Sequence, residues 1–488
     1  MSTPCWARPL AAAVCVATLA VACTAEPSRL AEPPPAPRLE PPAPRALGVK
    51  WDWSRFDVVE PYVEALGGGI TWHEVVWCNV EPEPAVQDWE FVDDVVERSN
   101  RLGFEVRLKL RVGSCWATGR RLEERGRAAT TASLMPLDID RYRQFVRRAV
   151  NRYSDAGVGV YAVENEVNSP SFWAASADDY VDLARVAAET IRETDPSATV
   201  VDSGISSTGL GVGIALRLLD RGQPRAAVDA YRRYYARRFA VRGDDFPEVD
   251  DEAELRDALG GAQPRRNLEF LEATMRLAHD GVVDAYQLHF YERWDNVPAL
   301  MAYLEAELPS NVPVDAWEVG MFWPGAPHED DALLAAEAAK TVILLLGAGA
   351  RSVIWLPGAH NPDSERFDDE TLFGLVEPDG AIRPLGHAFA RVAEAAAGLA
   401  AGATTVEMVS ERPDVLAAAF VSGDVADVVA WNVDDHDRVV GSLPVGARVT
   451  RLVDGEPVAV VDTSVTLGAA PLLIRLPAGG LPAADALL

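Results

Sequence analysis

Eight short apolar runs, each trailed by a longer stretch with helical spacing, constrain this chain more than any other feature. The runs are "ALGVKWDW" (46–53), "ITWHEVVW" (70–77), "FEVRLKLRV" (104–112), "VGVYAVEN" (158–165), "ATVVDSGI" (198–205), "VVDAYQLHF" (282–290), "VPVDAWEV" (312–319) and "ARSVIWLP" (350–357). Between them lie stretches such as "WEFVDDVVERSNRLG" and "DRYRQFVRRAVNRYSDAG", several of which end at Gly, a common helix stop. Eight such alternations over roughly 350 residues predict an α/β chain folded as a (β/α)8 TIM barrel over 46–400, somewhat above the usual length. An open doubly wound sheet is the rival, but no G-x-G-x-x-G follows a strand here.

The excess length sits between strands five and six. Residues 211–280 hold far more than one helix, including "RAAVDAYRRYYARRFAVRG" and the acidic "DDFPEVDDEAELRDALGG". A helical insertion after strand five is expected, either shaping a substrate cleft or serving as solvated elaboration. After residue 400 the pattern changes to "TTVEMVSE", "VLAAAFVSG", "VADVVAWNV", "RVTRLVDG", "EPVAVVDTS" and "PLLIRLPAG". Strands joined by turns predict a small C-terminal antiparallel β-sandwich over 401–480.

At the other end, Arg8 and the apolar "LAAAVCVATLAVA" read as an export signal over 1–22, too short to span a bilayer. "LAVAC" resembles the lipobox of bacterial lipoproteins with Cys23 as the lipidated residue, although Ala20 stands where that motif usually has Leu. Residues 23–45 contain "AEPPPAPRLEPPAPR", a proline-rich linker stiffened toward polyproline II. The expected product is exported, and either tethered to a membrane through Cys23 at the cell surface or in the periplasm, or secreted.

The formal charge is −29, from 45 Lys and Arg against 74 Asp and Glu, so nucleic acid and anionic membrane surfaces are poor partners. Lys50, Lys109 and Lys340 are the only lysines, a scarcity that reads as coding bias. Excluding Cys5, Cys15 and Cys23, two cysteines remain, Cys78 and Cys115, each just past a strand run. Strands two and three would be neighbours about 4.8 Å apart, so in an exported protein a disulfide between them is open.

In a barrel of this kind, catalytic groups emerge at the C-terminal ends of the strands. Strand four ends in Asn165 and Glu166, strand six in His289 and Tyr291, strand seven in Glu318 and strand eight in Trp355. Two carboxylates on one rim, flanked by amide, imidazole, phenol and indole, suit the cleavage of a glycosidic bond. One carboxylic acid protonates the leaving oxygen while the other attacks or stabilises the anomeric carbon. Aromatic rings offer apolar faces to sugars, and amides bind hydroxyls. Each residue also has an ordinary reading: a solvated loop or strand-end glutamate, a hydrogen-bonded core histidine, a packed tyrosine or tryptophan. Glu164 shares a face with Glu166 in a regular strand. Trp116 and Trp323 are lesser sugar platforms. The seven histidines are scattered, with no H-E-x-x-H, no paired C-x-x-C and no G-x-S-x-G after a strand, so neither a metal nor a cofactor is expected.

These residues, in this order, resemble the clan A retaining glycoside hydrolases, most nearly the β-xylosidase and α-L-iduronidase type. The resemblance implies that Glu166, in the Asn-Glu pair ending strand four, is the acid/base and that Glu318, ending strand seven, is the nucleophile. "HFY" matches the clan's His-x-Tyr on strand six, and Trp355 the tryptophan that floors its sugar site. "WCNVEPEPAVQDWEFVDDVV" (77–96) and "FGLVEPDGAIRPLGHAF" (373–389) look like two further clan segments, so the likeness covers most of 46–400. It implies double displacement on an oligosaccharide or glycoside. One departure stands out. The clan often carries an Arg on strand two that steadies the nucleophile, whereas this chain has Trp72 and His73 there. His73 is a possible substitute. The alternative is a catalytically impaired carbohydrate-binding or scaffolding lipoprotein on the same barrel.

Overall fold

Each of the eight runs forms a strand where it was expected: β1 (Leu47–Val49), β2 (Gly69–Val76), β3 (Phe104–Arg111), β4 (Val160–Val163), β5 (Thr199–Val201), β6 (Tyr286–Phe290), β7 (Val314–Val319) and β8 (Ser352–Trp355). The computed structural model describes residues 45–125, 130–327, 330–361, 370–409, 414–434, 436–441 and 443–477. The export signal, Cys23 and the linker up to residue 44 lie outside them. Among the described residues no helix is long and apolar enough to cross a membrane.

The parallel strands form two four-stranded sheets, β2-β3-β4-β5 and β1-β8-β7-β6. Parallel bridges from Val201 to Ala285 and from Ile205 to Leu288 connect the end of β5 to β6. β1 runs against β2 so closely that a Cβ on Gly48 would fall 1.8 Å from the Ile70 carbonyl oxygen, and glycine is required there. Every parallel strand therefore has its sequence neighbour beside it.

Alternation along the strands divides their side chains into two sets. On β3, Phe104, Val106, Leu108 and Leu110 join the large apolar core shared with the helices. Arg107, Lys109 and Arg111 point the other way and are also buried. On β8, Val353 and Trp355 belong to the helix-facing core, whereas Ile354 joins Ile70, Trp72, Ala162, Val201, Ala285 and Trp317 in a separate apolar cluster. The helices supply the covering layer by amphipathic spacing. In α1 (Ile139–Tyr153), Tyr142, Phe145, Val146, Ala149, Val150 and Tyr153 are buried, and Asp138 caps the N-terminus by accepting from the N–H groups of Asp140 and Arg141.

Between β5 and β6 the chain forms α2 (Ser207–Asp220), α3 (Pro224–Tyr235), a single helical turn at Phe239–Arg242, α4 (Glu252–Leu259) and α5 (Ala262–His279). Later come α6 (Asp331–Gly347) and α7 (Pro384–Ala395). The C-terminal part is an antiparallel sheet of β9 (Thr404–Met408), β10 (Val415–Ser422), β11 (Val425–Asn432), β13 (Arg448–Arg451) and β15 (Leu472–Leu476), in the order β9-β10-β11-β15-β13. A two-stranded ladder of β12 (Arg438–Val440) and β14 (Val465–Leu467) shares one apolar cluster with it. The run "EPVAVVDTS" is not a strand. It meets the Arg448–Arg451 strand only through an isolated bridge between Thr450 and Pro457; beyond it Val460 and Val461 are exposed, and Asp462 and Thr463 take positive φ in a turn. The polar "DRVV" segment supplies β12 instead.

Cys78 and Cys115 are joined by a disulfide with a Cα–Cα distance of 5.8 Å, linking the chain after β2 to the chain after β3. For a sequence separation of 37 residues, loop closure predicts that changing both to serine costs about 4 kcal/mol. Denaturant unfolding of the oxidised protein and the double variant checks this. Coincident midpoints would mean the bridge contributes nothing.

Candidate active site

Four strands, β3, β4, β6 and β7, bring titratable side chains together. Lys109, second-last but one on β3 and fully buried, donates from Nζ to Glu318 Oε1 at 2.6 Å and to Asn165 Oδ1 at 2.6 Å. Glu318 reaches this position because β7 is bulged. Leu288 pairs with Ala316 but His289 pairs with Glu318, so Trp317 is an extra residue and both Trp317 and Glu318 turn away from the helices. The Tyr291 hydroxyl donates to Glu318 Oε2 at 3.1 Å. Burial pushes the Glu318 carboxyl up, but the charges on His289 and Lys109 and the hydrogen bonds from Lys109 and Tyr291 outweigh it. The group is held below the usual carboxylate range and is ionised at neutral pH.

His289 lies under both carboxylates. Its Nδ1 is 2.9 Å from Glu166 Oε1 and 3.4 Å from Glu318 Oε2. Its Nε2 faces Gln287 Oε1 at 2.8 Å, and the Gln287 amide is fixed by donating from Nε2 to the Asp202 carbonyl at 2.7 Å. That network assigns a hydrogen to the His289 Nε2. Nδ1 then faces Glu166 Oε1, and one hydrogen between them completes that contact. Gly204 holds the ring from behind: it has φ +68°, and a Cβ there would sit 2.5 Å from the imidazole Nε2.

The chain after β4 leaves regular geometry at once. Glu164 has φ +68° and Glu166 has φ +35°, a left-handed conformation that costs non-glycine residues of order 1 kcal/mol or more each. The kink separates two glutamates that a straight strand would place on one face. Glu164 is fully buried, accepts from the Val112 N–H at 2.7 Å, and lies 3.5 Å from the Arg111 Nε. Burial raises its carboxyl to about 7, against the opposing pull of Arg111. Glu166 instead faces a cavity of about 700 Å³.

That cavity is also lined by Asn165, Tyr291 and Glu318, with Lys50, Trp72 and His73 from the first two strands. Pro170 and Phe172 form a wall after β4. The segment between β5 and β6 contributes Arg238, Arg242, Asp245, Phe246 and Gln263, so it is part of the pocket and not only solvated elaboration. Two predicted contacts differ. His289 is fully buried behind the carboxylates, where it positions them instead of meeting a ligand. Trp355 is fully buried on the helix side of β8, its indole N–H donating to the Phe373 carbonyl at 3.1 Å, because strand alternation turns it outward. Leu356 lines the pocket in its place. Trp116 packs edge-on against Trp77 with its indole N–H on the Glu81 carbonyl, and Trp323 stacks with Arg237 at 4.0 Å. Neither lines the cavity.

Sequence reasoning missed Lys109, Lys50 and Gln287. His73 does not take the missing arginine's place: burial, then the Lys50 charge, hold its imidazole far below its ordinary value and so neutral. Lys109 supplies the cation from the neighbouring strand. Glu166, His289 and Glu318 each offer a ligand atom, all within 4.8 Å of one another, as a metal site would. The Lys109 ammonium, 2.6 Å from Glu318 Oε1, would repel a divalent cation there.

No protein-family model matches the sequence, and no curated protein does. Among solved structures, the fold is that of family 39 glycoside hydrolases. One, from the gut symbiont Bacteroides cellulosilyticus WH2, superposes with a TM-score of 0.61 at 16% identity over 88% of this chain and 80% of its own. A β-xylosidase of that family from Caulobacter crescentus gives 0.55 at 16% identity over 91% and 98%. A glucosidase from Croceicoccus marinus gives 0.50 at 13% identity over 90% and 97%.

Proposed function

We propose that this chain is a retaining glycoside hydrolase whose eight parallel strands form a closed (β/α)8 barrel. The observation that carries the proposal is the pairing of Glu166 and Glu318, with carboxylate oxygens within 4.8 Å at the wall of an open pocket. Retaining enzymes keep their two carboxyl groups about 5–5.5 Å apart, while inverting enzymes need roughly 6.5–9.5 Å to admit a water. The short spacing favours double displacement. Glu318, kept ionised by Lys109, attacks the anomeric carbon. Glu166 delivers the proton it shares with His289 to the departing oxygen, then takes one from the water that releases the sugar.

Asn165 and Tyr291 are positioned to bind hydroxyls near the anomeric carbon, while Asn165 holds the Lys109 ammonium and Tyr291 orients Glu318. The reading as an impaired binding or scaffolding lipoprotein depends on the missing strand-two arginine, and Lys109 meets that need. The export signal and Cys23 support an exported enzyme tethered at the cell surface or in the periplasm. The test is trapping with 2-fluoro glycosides covering xylose, glucose, galactose, mannose, arabinose and uronic acids. A stoichiometric mass increase on the peptide carrying Glu318 is expected. An adduct on another residue, or none with any sugar, refutes the mechanism.

A further inference from the structure

Lys50 follows β1 at the pocket wall, fixed by its own backbone: its N–H donates to the Trp355 carbonyl at 2.8 Å and its carbonyl accepts from the Gly358 N–H at 2.8 Å. Its side chain lies against Trp72, Nζ 4.5 Å from the ring centroid, and the same indole carries Lys109 at 3.8 Å. Among the described residues the Lys50 ammonium has no hydrogen-bond or ion-pair partner. The acids that face it are engaged elsewhere. Glu318 is held by Lys109 and Tyr291, Glu74 by Arg111 at 2.9 Å, and Asp52 accepts from the Ser54 N–H at 2.8 Å. Beside them, Lys109 adds repulsion and His73 is neutral. One ammonium is thus left without a direct partner beside the two reacting carboxylates, with Glu74, Glu318 and Asp52 acting on it only through longer-range attraction, in a chain with a net charge of −29 and three lysines.

Lys50 is half-buried at the pocket wall, and an ammonium partly withdrawn from water without a direct partner is unfavourable; burial accordingly lowers it to about 8, with Glu74 pulling the other way and Lys109 adding to the fall. A ligand can bring the missing direct partner. Resting on the glycosidase reading, we propose that Lys50 receives the single negative charge of an anionic sugar, a ring carboxylate or a sulfate ester, in the pocket of Glu166 and Glu318. A lone ammonium matches a monoanion as a point charge, whereas a neutral sugar offers it only hydroxyl oxygens.

Matched 4-nitrophenyl glycosides test this: glucoside, glucuronide and glucoside 6-sulfate, with the galacto series, on wild type, Lys50→Gln and Lys50→Arg. Wild type is expected to favour one acidic member over its neutral parent by about 10-fold or more in kcat/KM. Whether carboxylate or sulfate is preferred identifies the source of the charge. Lys50→Gln should erase that preference chiefly through KM, and Lys50→Arg should restore part of it. For the acidic substrate alone, kcat/KM should fall as pH rises through about 8, where free Lys50 loses its proton. Preference for neutral sugars, or an equal loss on both kinds in Lys50→Gln, overturns the proposal and leaves the glycosidase reading intact. If no glycoside is turned over, that reading fails separately, and calorimetry with free glucuronate against glucose decides. Tighter glucuronate binding that disappears in Lys50→Gln supports the proposal, and equal binding overturns it.

Discussion

Glu318→Ala is expected to abolish turnover on every glycoside, because no covalent intermediate forms without the carboxylate that attacks. The variant also leaves the Lys109 ammonium buried without its 2.6 Å partner, so its fold is to be checked by unfolding alongside the assay. Glu166→Ala should behave differently. An activated nitrophenyl glycoside needs little protonation, so its glycosylation step survives far better than that of an unactivated sugar. Release then lacks a base, intermediate accumulates, and azide accelerates turnover by replacing the activated water. Both variants assayed with and without azide separate the two roles. Wild-type turnover in Glu318→Ala, or identical losses without an azide effect in both, contradicts the assignment.

Replacing Lys109 with methionine should lower kcat/KM at neutral pH by roughly 100-fold or more, the scale seen when a preorganised donor to a reacting group is removed. The sign of the accompanying pH change follows from the pair. Lys109 is one of the groups holding the Glu318 carboxyl down against its own burial, so its loss raises that carboxyl and moves the acid limb of the profile to higher pH. A purely structural defect would scale the profile without shifting it. Lys109→Arg retains the charge, so its acid limb should stay near the wild-type position while its rate falls from misplacement of a bulkier fork in a fully buried site. An unshifted limb in the methionine variant would remove Lys109 from the machinery.

The order and position of all eight parallel strands were legible because each is a short stretch rich in apolar residues and bounded by turn residues. The site was legible where chemistry sits at the very end of a run, as with Asn165, Glu166 and Glu318. It was not legible where alternation within the run decides direction. "FEVRLKLR" places every second residue in the helix-facing core, and the remaining charged residues face the opposite side: Arg107 to Ser352, Lys109 to Glu318, Arg111 to Glu74. Reading that strand as an apolar run hid the cation. The scarcity of lysine was a second signal, since Lys50 and Lys109 both meet at Trp72. The same alternation places Trp355 among the helices, away from the rim where the resemblance implies a sugar platform. The kink at Glu164–Glu166 and the bulge before Glu318 leave no trace in composition, because they depend on neighbouring strands.

The C-terminal sheet buries both of its faces. Ala417, Ala419 and Val428 pack with the β12–β14 ladder, whereas Ala418, Phe420, Val429 and Trp431 pack into the large core, Trp431 meeting Trp294 edge-on at 6.1 Å. At the end of α6, a Cβ on Gly347 would strike the Met408 sulfur at 2.5 Å, and Arg391 of α7 donates to the carbonyls of Leu452 and Val453. A piece attached in this way is not an interchangeable accessory. A lineage that lost it would have to redesign two helix surfaces at once, so the two parts are expected to be inherited as one hereditary unit, with loops at the pocket left as the place where specificity diverges.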